Sequence, residues 1–279
     1  MIKKILIIVG LLLCFTNSFG QSKEKIKGSK IIKTSIIDVQ LFETLELDAE
    51  DVEFLLLKST KNAIEIEADD NLHDLVVTNF EERTLKIYVL KEISGAKKFT
   101  IKIHYTDALN KIVLRNKTSL LAVSDIATPT LTVECLQNSK LEANVSSKNF
   151  SLICNDNSKV KATIKCENAT LKTNDSAKAE VNLSCFLSTI DVDDKSVLAI
   201  DGDTKNATLK VLKNANFKGR LFTIGYADLF AENNSNVVIL LAHKGTFSMA
   251  DKAEVYVWGD PEIVLKQFSN NVSLYKKEK

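Results

Sequence analysis

Residues 131–145 read LTVECLQNSKLEANV, residues 150–164 FSLICNDNSKVKATI and residues 169–183 ATLKTNDSAKAEVNL. Laid over one another, the three segments share one pattern. An apolar residue alternates with a polar one, a short Asn/Asp-rich turn intervenes, and the alternation resumes. A period of two is the mark of a strand, and its return every 19 residues is the mark of a stacked repeat.

The repeat extends in both directions from this stretch. Anchored on Val113, Val133, Leu152, Leu171, Ile190, Leu209, Leu229 and Phe247, the steps are 20, 19, 19, 19, 19, 20 and 18 residues. Six residues past each anchor stands a small residue: Ser119, Ser139, Ser158, Ala177, Ser196, Ala215, Ser235 and Ala253. Eight past stands an apolar one, from Leu121 and Leu141 through to Val255. Two short strands joined by a tight turn explain these columns, with the small residue where the chain bends and the next coil packs close. The expected fold is all-β: a parallel right-handed β-helix of about eight rungs, preceded by an N-terminal β-rich region. Further columns, Cys135, Cys154, Thr173, Val192, Val211 and Ala143, Ala162, Val181, Ile200, are read as inward. Thr132, Ser151, Thr170, Thr189 and Thr208 form an outward hydroxyl ladder, a choice that strand packing explains without a ligand.

Upstream of the repeat, alternation is clear at Leu45–Leu47, Val52–Leu57, Ala63–Glu67, Thr84–Leu90 and Phe99–Tyr105. No helical period is sustained, and only two prolines, Pro129 and Pro261, interrupt strand formation. At the N-terminus, Lys3 and Lys4 precede the apolar run Ile5–Phe15 and the polar Thr16-Asn17-Ser18, which reads as a secretion signal cut after Gly20. Cys14 raises a lipoprotein alternative, against which Leu12-Leu13 lacks the small residue that processing prefers. The expected organisation is a signal peptide at 1–20, a basic leader at 21–35, the N-terminal β-rich region at 36–107, β-helix repeats at 108–261 and a C-terminal cap at 262–279. The expected location is outside the cytoplasm: periplasm, outer-membrane surface or medium.

Overall charge excludes a broad polyanion-binding surface, because 37 Lys and Arg stand against 36 Asp and Glu, a net of +1. Nucleic acid is therefore not an expected partner, and no later apolar run is long enough for a transmembrane segment. His73, His104 and His243 are too few and too scattered for a histidine metal site. Cys135 and Cys154 stack one rung apart, as do Cys166 and Cys185. Stacked Cβ atoms near 5 Å are too far apart for a relaxed disulfide, so four hidden core thiols are expected, with the disulfide alternative open.

Asp191, Asp193, Asp194, Asp201 and Asp203 fall on one rung. Asp191, Asp201 and Asp203 are the weak metal candidates, but Asp201-Gly202-Asp203 is too short to be a calcium loop by itself. The same acids are the only hint of a polysaccharide-cleaving enzyme, and they lack an aromatic platform beside them. No catalytic residue and no cofactor is assigned. In the last rungs, two outward columns turn from polar to apolar, at Val238 and Tyr256 and at Leu240 and Trp258, with Phe222 and Ala242 extending the patch. Phe222, Val238, Leu240, Tyr256 and Trp258 are the interface candidates. They are covered either by residues 262–275 folding back over them or by a partner or second copy.

The chain resembles the head GIN domain family of auto-transporter adhesins, exported β-helical proteins common in Bacteroidetes. The resemblance rests on Gly28–Lys33 leading to Phe42-Glu43-Thr44-Leu45, on Val52–Leu56, Asp69-Asp70-Asn71-Leu72, Thr84-Leu85-Lys86-Ile87, and on the repeats up to Trp258-Gly259-Asp260-Pro261. It departs at the rung turns, where Asn157-Ser158, Ser176-Ala177 and Asn214-Ala215 stand in place of Ser-Gly pairs. The resemblance implies a β-helical exported protein and supplies no catalytic residues. The first functional expectation is a noncatalytic, adhesin-like surface or periplasmic binding protein that contacts a glycan or protein through its faces. A structural or self-assembly module is the alternative, and an acid-dependent enzyme the weakest reading.

Overall fold

The computed structural model describes residues 25–278, so the secretion signal falls outside the described residues. Strands Thr130–Cys135, Asn149–Cys154 and Asn168–Thr173 pair parallel and in register, as do Lys140–Ser146, Lys159–Lys165 and the first half of Lys178–Val192. Each coil thus contributes one strand to each of two sheets. From Lys178 onward the two are joined without a break: Val197–Val211, Asn216–Ala231 and Asn236–Met249 each leave one sheet, round a corner and enter the other. The stack is a β-solenoid of about nine turns with a repeat of about 19 residues. Its inward columns merge into one continuous apolar core.

The turn opposite the corner explains the small column. Two consecutive residues in each turn are left-handed, among them Asp156 (φ 54°) and Asn157 (φ 59°), Asp175 (50°) and Ser176 (62°), and Lys213 (48°) and Asn214 (62°). Paired positive φ values define a tight turn that Asn and Asp tolerate best. Each turn hands a backbone bond to the next, as in Asn157 N–H to Asp175 O at 3.0 Å and Ser176 N–H to Asp194 O at 3.0 Å. Ser158, Ala177, Ser196 and Ala215 follow directly and are wholly buried. A larger side chain there would meet the coil above.

One rung of the sequence alignment shifts by a residue. Ile112, not Val113, pairs with Val133, and Leu120, not Leu121, pairs with Leu141. The small-column residue of that rung is therefore Thr118, which is buried, while Leu121 is exposed. Three apolar residues in succession, Ile112-Val113-Leu114, leave the parity ambiguous in the sequence.

The N-terminal β-rich region supplies coils to the same stack. Thr44–Asp48 and Glu53–Lys58 pair parallel with Lys111–Arg115 and Ser119–Ala122, and on their other side with Thr84–Val89 and Phe99–Tyr105. This end is closed by antiparallel strands, Val76–Glu81 on one sheet and Ala63–Asp69 followed by Ile32–Asp38 on the other. The leader is thus partly strand, and Ile32–Asp38 crosses the expected boundary at 35. At the far end, residues 262–278 do not fold back over the outer face. Glu262–Phe268 and Ser273–Lys277 lie parallel on the preceding coil as one further rung, which covers the end of the core and lengthens both faces.

The four described cysteines are free thiols, but only Cys135, Cys154 and Cys185 are buried; Cys166, at the corner, is half-exposed. The expectation of four hidden thiols fails there because the corner lies outside the packed strands.

Asp69 fastens the N-terminal end. Its buried carboxylate accepts backbone N–H bonds from Lys30 (2.8 Å), Lys97 (3.1 Å) and Lys98 (3.1 Å). Burial by itself would raise its pKa, but these three donors outweigh it and hold the carboxyl below its ordinary value. A carboxyl with a depressed folded-state pKa stabilises fully above its unfolded pKa, about pH 4, and loses that contribution as pH falls further. Urea midpoints should therefore drop more steeply between about pH 5 and pH 3 in the wild type than in Asp69→Asn. Equal slopes would remove Asp69 from the acid response.

Candidate binding surface

Val238, Leu240, Tyr256 and Trp258 stand on the outer face of the sheet that holds Asn236–Met249 and Glu254–Trp258, and each is half-buried. Register places Val238 against Tyr256 and Tyr256 against Tyr275, and Leu240 against Trp258 and Trp258 against Lys277. Tyr256 and Tyr275 stack with ring centroids 4.8 Å apart and planes 16° from parallel. The Arg220 guanidinium lies over the Trp258 ring, 4.1 Å from its centroid. The Tyr256 hydroxyl donates to Glu254 Oε2 at 3.0 Å, which pushes the phenol pKa up. Aromatic and arginine side chains combined on a flat apolar field are the composition of protein-contact surfaces.

Phe222 is not part of this face; its side chain is fully buried. The pairing of Val197–Val211 with Asn216–Ala231 slips between Ala199 and Asp201, so that Ala199 faces Lys218 but Asp201 faces Leu221. One extra residue reverses the side-chain parity, as a β-bulge must. Phe222 turns into the core, and Arg220 and Leu221 both turn outward, Leu221 with 68% exposure. The sequence signal was the 20-residue step from Leu209 to Leu229. A shallow hollow of about 350 Å³ lies beside Leu221, lined by Asp201, Lys218, Arg220, Leu221 and Val238.

A second exposed apolar group occupies the corner: Phe186, Leu187 and Tyr226. Lys205 Nζ stands 5.0 Å from the Phe186 ring centroid, and Tyr226 lies against His243 with ring centroids 5.3 Å apart. The anchor columns did not single these residues out, because corner positions follow neither strand's alternation.

The acidic rung is divided by the fold. Asp191 faces outward on one sheet between Lys172 and Lys210, and Asp201 faces outward on the other beside Asn182 and Leu221. The core separates the two faces. Asp203 shares the face of Asp201 and accepts a hydrogen bond from Ser184 Oγ at 3.2 Å, while Asp193 pairs with Lys213 at 3.0 Å. Among the described residues, no group of three or more His, Cys, Asp or Glu side chains converges as a metal site would require. No described helix is long and apolar enough to cross a membrane.

Fold and surface together define a parallel β-solenoid protein whose distinguishing features lie on flat outer faces. The chain belongs to the family described as "Putative auto-transporter adhesin, head GIN domain", which matches residues 42–261. Its fold is shared with solved structures of low sequence identity. A putative adhesin from Parabacteroides merdae superposes with a TM-score of 0.67 at 14% identity, covering 91% of this chain and 99% of that one. A putative adhesin from Parabacteroides distasonis gives 0.64 at 17% identity, covering 91% and 100%. A protein from the same organism described as a putative lipid binding protein gives 0.62 at 16% identity, again covering 91% and 100%. No curated protein matches the chain.

Proposed function

We propose that this chain is a noncatalytic, exported, adhesin-like binding protein, and that it contacts its ligand through the outer face of its C-terminal coils. The observation that carries this reading is the change in that face along the stack. In the middle coils its columns alternate Glu142, Lys161 and Glu180; in the last coils they become Leu221, Val238, Leu240, Tyr256 and Trp258, edged by Arg220. Export is supported by the apolar leader at 5–15 and by the family.

Of the two ligand classes expected, protein and glycan, the surface favours a protein. Sugar rings stack on a free aromatic face, and here one face of Trp258 is covered by Arg220 while Tyr256 and Tyr275 are stacked on each other. A protein partner needs only apolar area with a polar rim. In pull-downs from surface-protein fractions and on a glycan array, the wild type should capture a ligand that Leu221→Ser combined with Arg220→Ala loses by at least about tenfold, in keeping with central contact residues. Undiminished capture by this double variant contradicts the assignment of the face.

Self-association is the second reading, favoured by the last rung. Val264, Leu265 and Phe268 are 38%, 47% and 49% exposed, and no described strand pairs with the outer edges of Glu262–Phe268 and Ser273–Lys277. A register slip beside Lys266 blunts this edge against strand addition, so the contact would be made through the exposed apolar side chains. A molecular mass that rises with concentration would favour this reading.

A further inference from the structure

At the solenoid corner one column holds Ser147, Cys166, Cys185 and Thr204, each 19 residues after the last. Cys166 lies between strands Lys159–Lys165 and Asn168–Thr173 and is half-exposed, and its N–H donates to Ser184 O at 3.1 Å. That bond brings its side chain beside Cys185. The two thiols are neighbours in the column, and Cys185 Sγ donates to Thr204 Oγ1 at 3.3 Å.

The other stacked pair provides an internal contrast. Cys135 and Cys154 are in direct register within two regular strands, and neither has any exposed surface. Burial pushes both thiols up, Cys154 to about 12, and closes both to any external reagent. Joining their sulfurs would also require two fixed strands to move together. Adjacent parallel strands hold Cα atoms about 4.8 Å apart, within the range a disulfide spans, but the Cβ atoms must approach by up to about 1 Å. At the corner that approach needs only a shift of Cys166 and Glu167, which lie outside any strand.

We infer that Cys166 and Cys185 are a redox-active pair that closes to a disulfide by exchange with a small external disulfide, while Cys135 and Cys154 stay reduced. The neighbouring thiol makes the Cys166 proton harder to lose and the Cys185 proton easier, so Cys185 ionises first and takes the Cys166 proton; Cys166, the accessible thiol, then attacks one sulfur of the external disulfide. One thiolate leaves and is protonated, and Cys166 is held as a mixed disulfide. Cys185 then loses its proton, attacks the Cys166 sulfur and expels the second thiolate. Two protein thiols and one external disulfide become one protein disulfide and two small thiols; the protein is oxidised by two electrons and the external disulfide is reduced. The product ties consecutive coils together at the corner.

The test is incubation of the reduced protein with oxidised glutathione, followed by acid quench, alkylation in denaturant and peptide mass spectrometry. Two of the four described thiols should disappear into a Cys166–Cys185 crosslink that dithiothreitol reverses. Cys166→Ser should abolish the crosslink, and Cys135→Ser should leave it unchanged. Four remaining thiols, a lasting glutathione adduct on Cys166 with Cys185 free, or a crosslink between Cys135 and Cys154 would each overturn the inference.

Discussion

Phe222→Ala should lower the unfolding free energy by about 3–5 kcal/mol, the cost of emptying a fully buried aromatic site, whereas Leu221→Ala should change it by less than about 0.5 kcal/mol. The two residues are neighbours in sequence and differ in one respect, the face to which the bulge assigns them. Phe222 has no exposed surface and Leu221 has 68%. Denaturant midpoints with unchanged slopes measure both effects on one scale. If the larger loss fell on Leu221, the bulge after Gly219 would be misplaced, and the binding face would have to be redrawn around Phe222.

The turn column gives the second large effect. Ala177 is completely buried behind the left-handed pair Asp175-Ser176, with the neighbouring turn bonded to it from above. Ala177→Leu is expected to cost about 1–3 kcal/mol through overpacking. Glu180→Leu, three residues on and outward, is expected to cost less than about 0.5 kcal/mol. Equal midpoints for the two variants would mean that the column of small residues does not lie where coils meet.

These pairs mark where the sequence was legible. The repeat could be read because its coils follow one another in chain order at a constant step, so that chemically similar residues recur in columns. Residues 44–105 contribute coils too, but Thr84–Val89 stacks outside Thr44–Asp48, which then meets Lys111–Arg115. No fixed period survives that rearrangement, so the region reads only as β-rich. Val76–Glu81 pairs antiparallel and follows a short helical turn at Asp70–Leu75, neither of which leaves a columnar trace.

The surface was legible to the same degree. Val238, Leu240, Tyr256 and Trp258 stand half-buried on an outer face, although Leu240 pairs with Thr223 across a register slip and not with Arg220. Arg220 and Leu221 were not recognised as its neighbours, because a one-residue insertion reverses inside and outside for the residues that follow. Asp191 and Asp201 were grouped as metal candidates because they fall on one rung. The turn at Asp194-Lys195 places them on opposite sides of the core. Spacing along the chain is a guide to proximity only within one strand, or across whole coils.

The direction of the hydrogen bonds has a mechanical consequence. In this stack nearly every bond between coils runs along the long axis, and the two ends of the described chain lie at opposite ends of that axis. Tension applied between those ends pulls the bonds open in line, one coil at a time, instead of shearing many at once. Each released coil of about 19 residues pays out roughly 65 Å of extended chain. A protein held at one end and gripped at the other would therefore lengthen in small steps under modest force, acting as a yielding tether whose remaining coils stay folded.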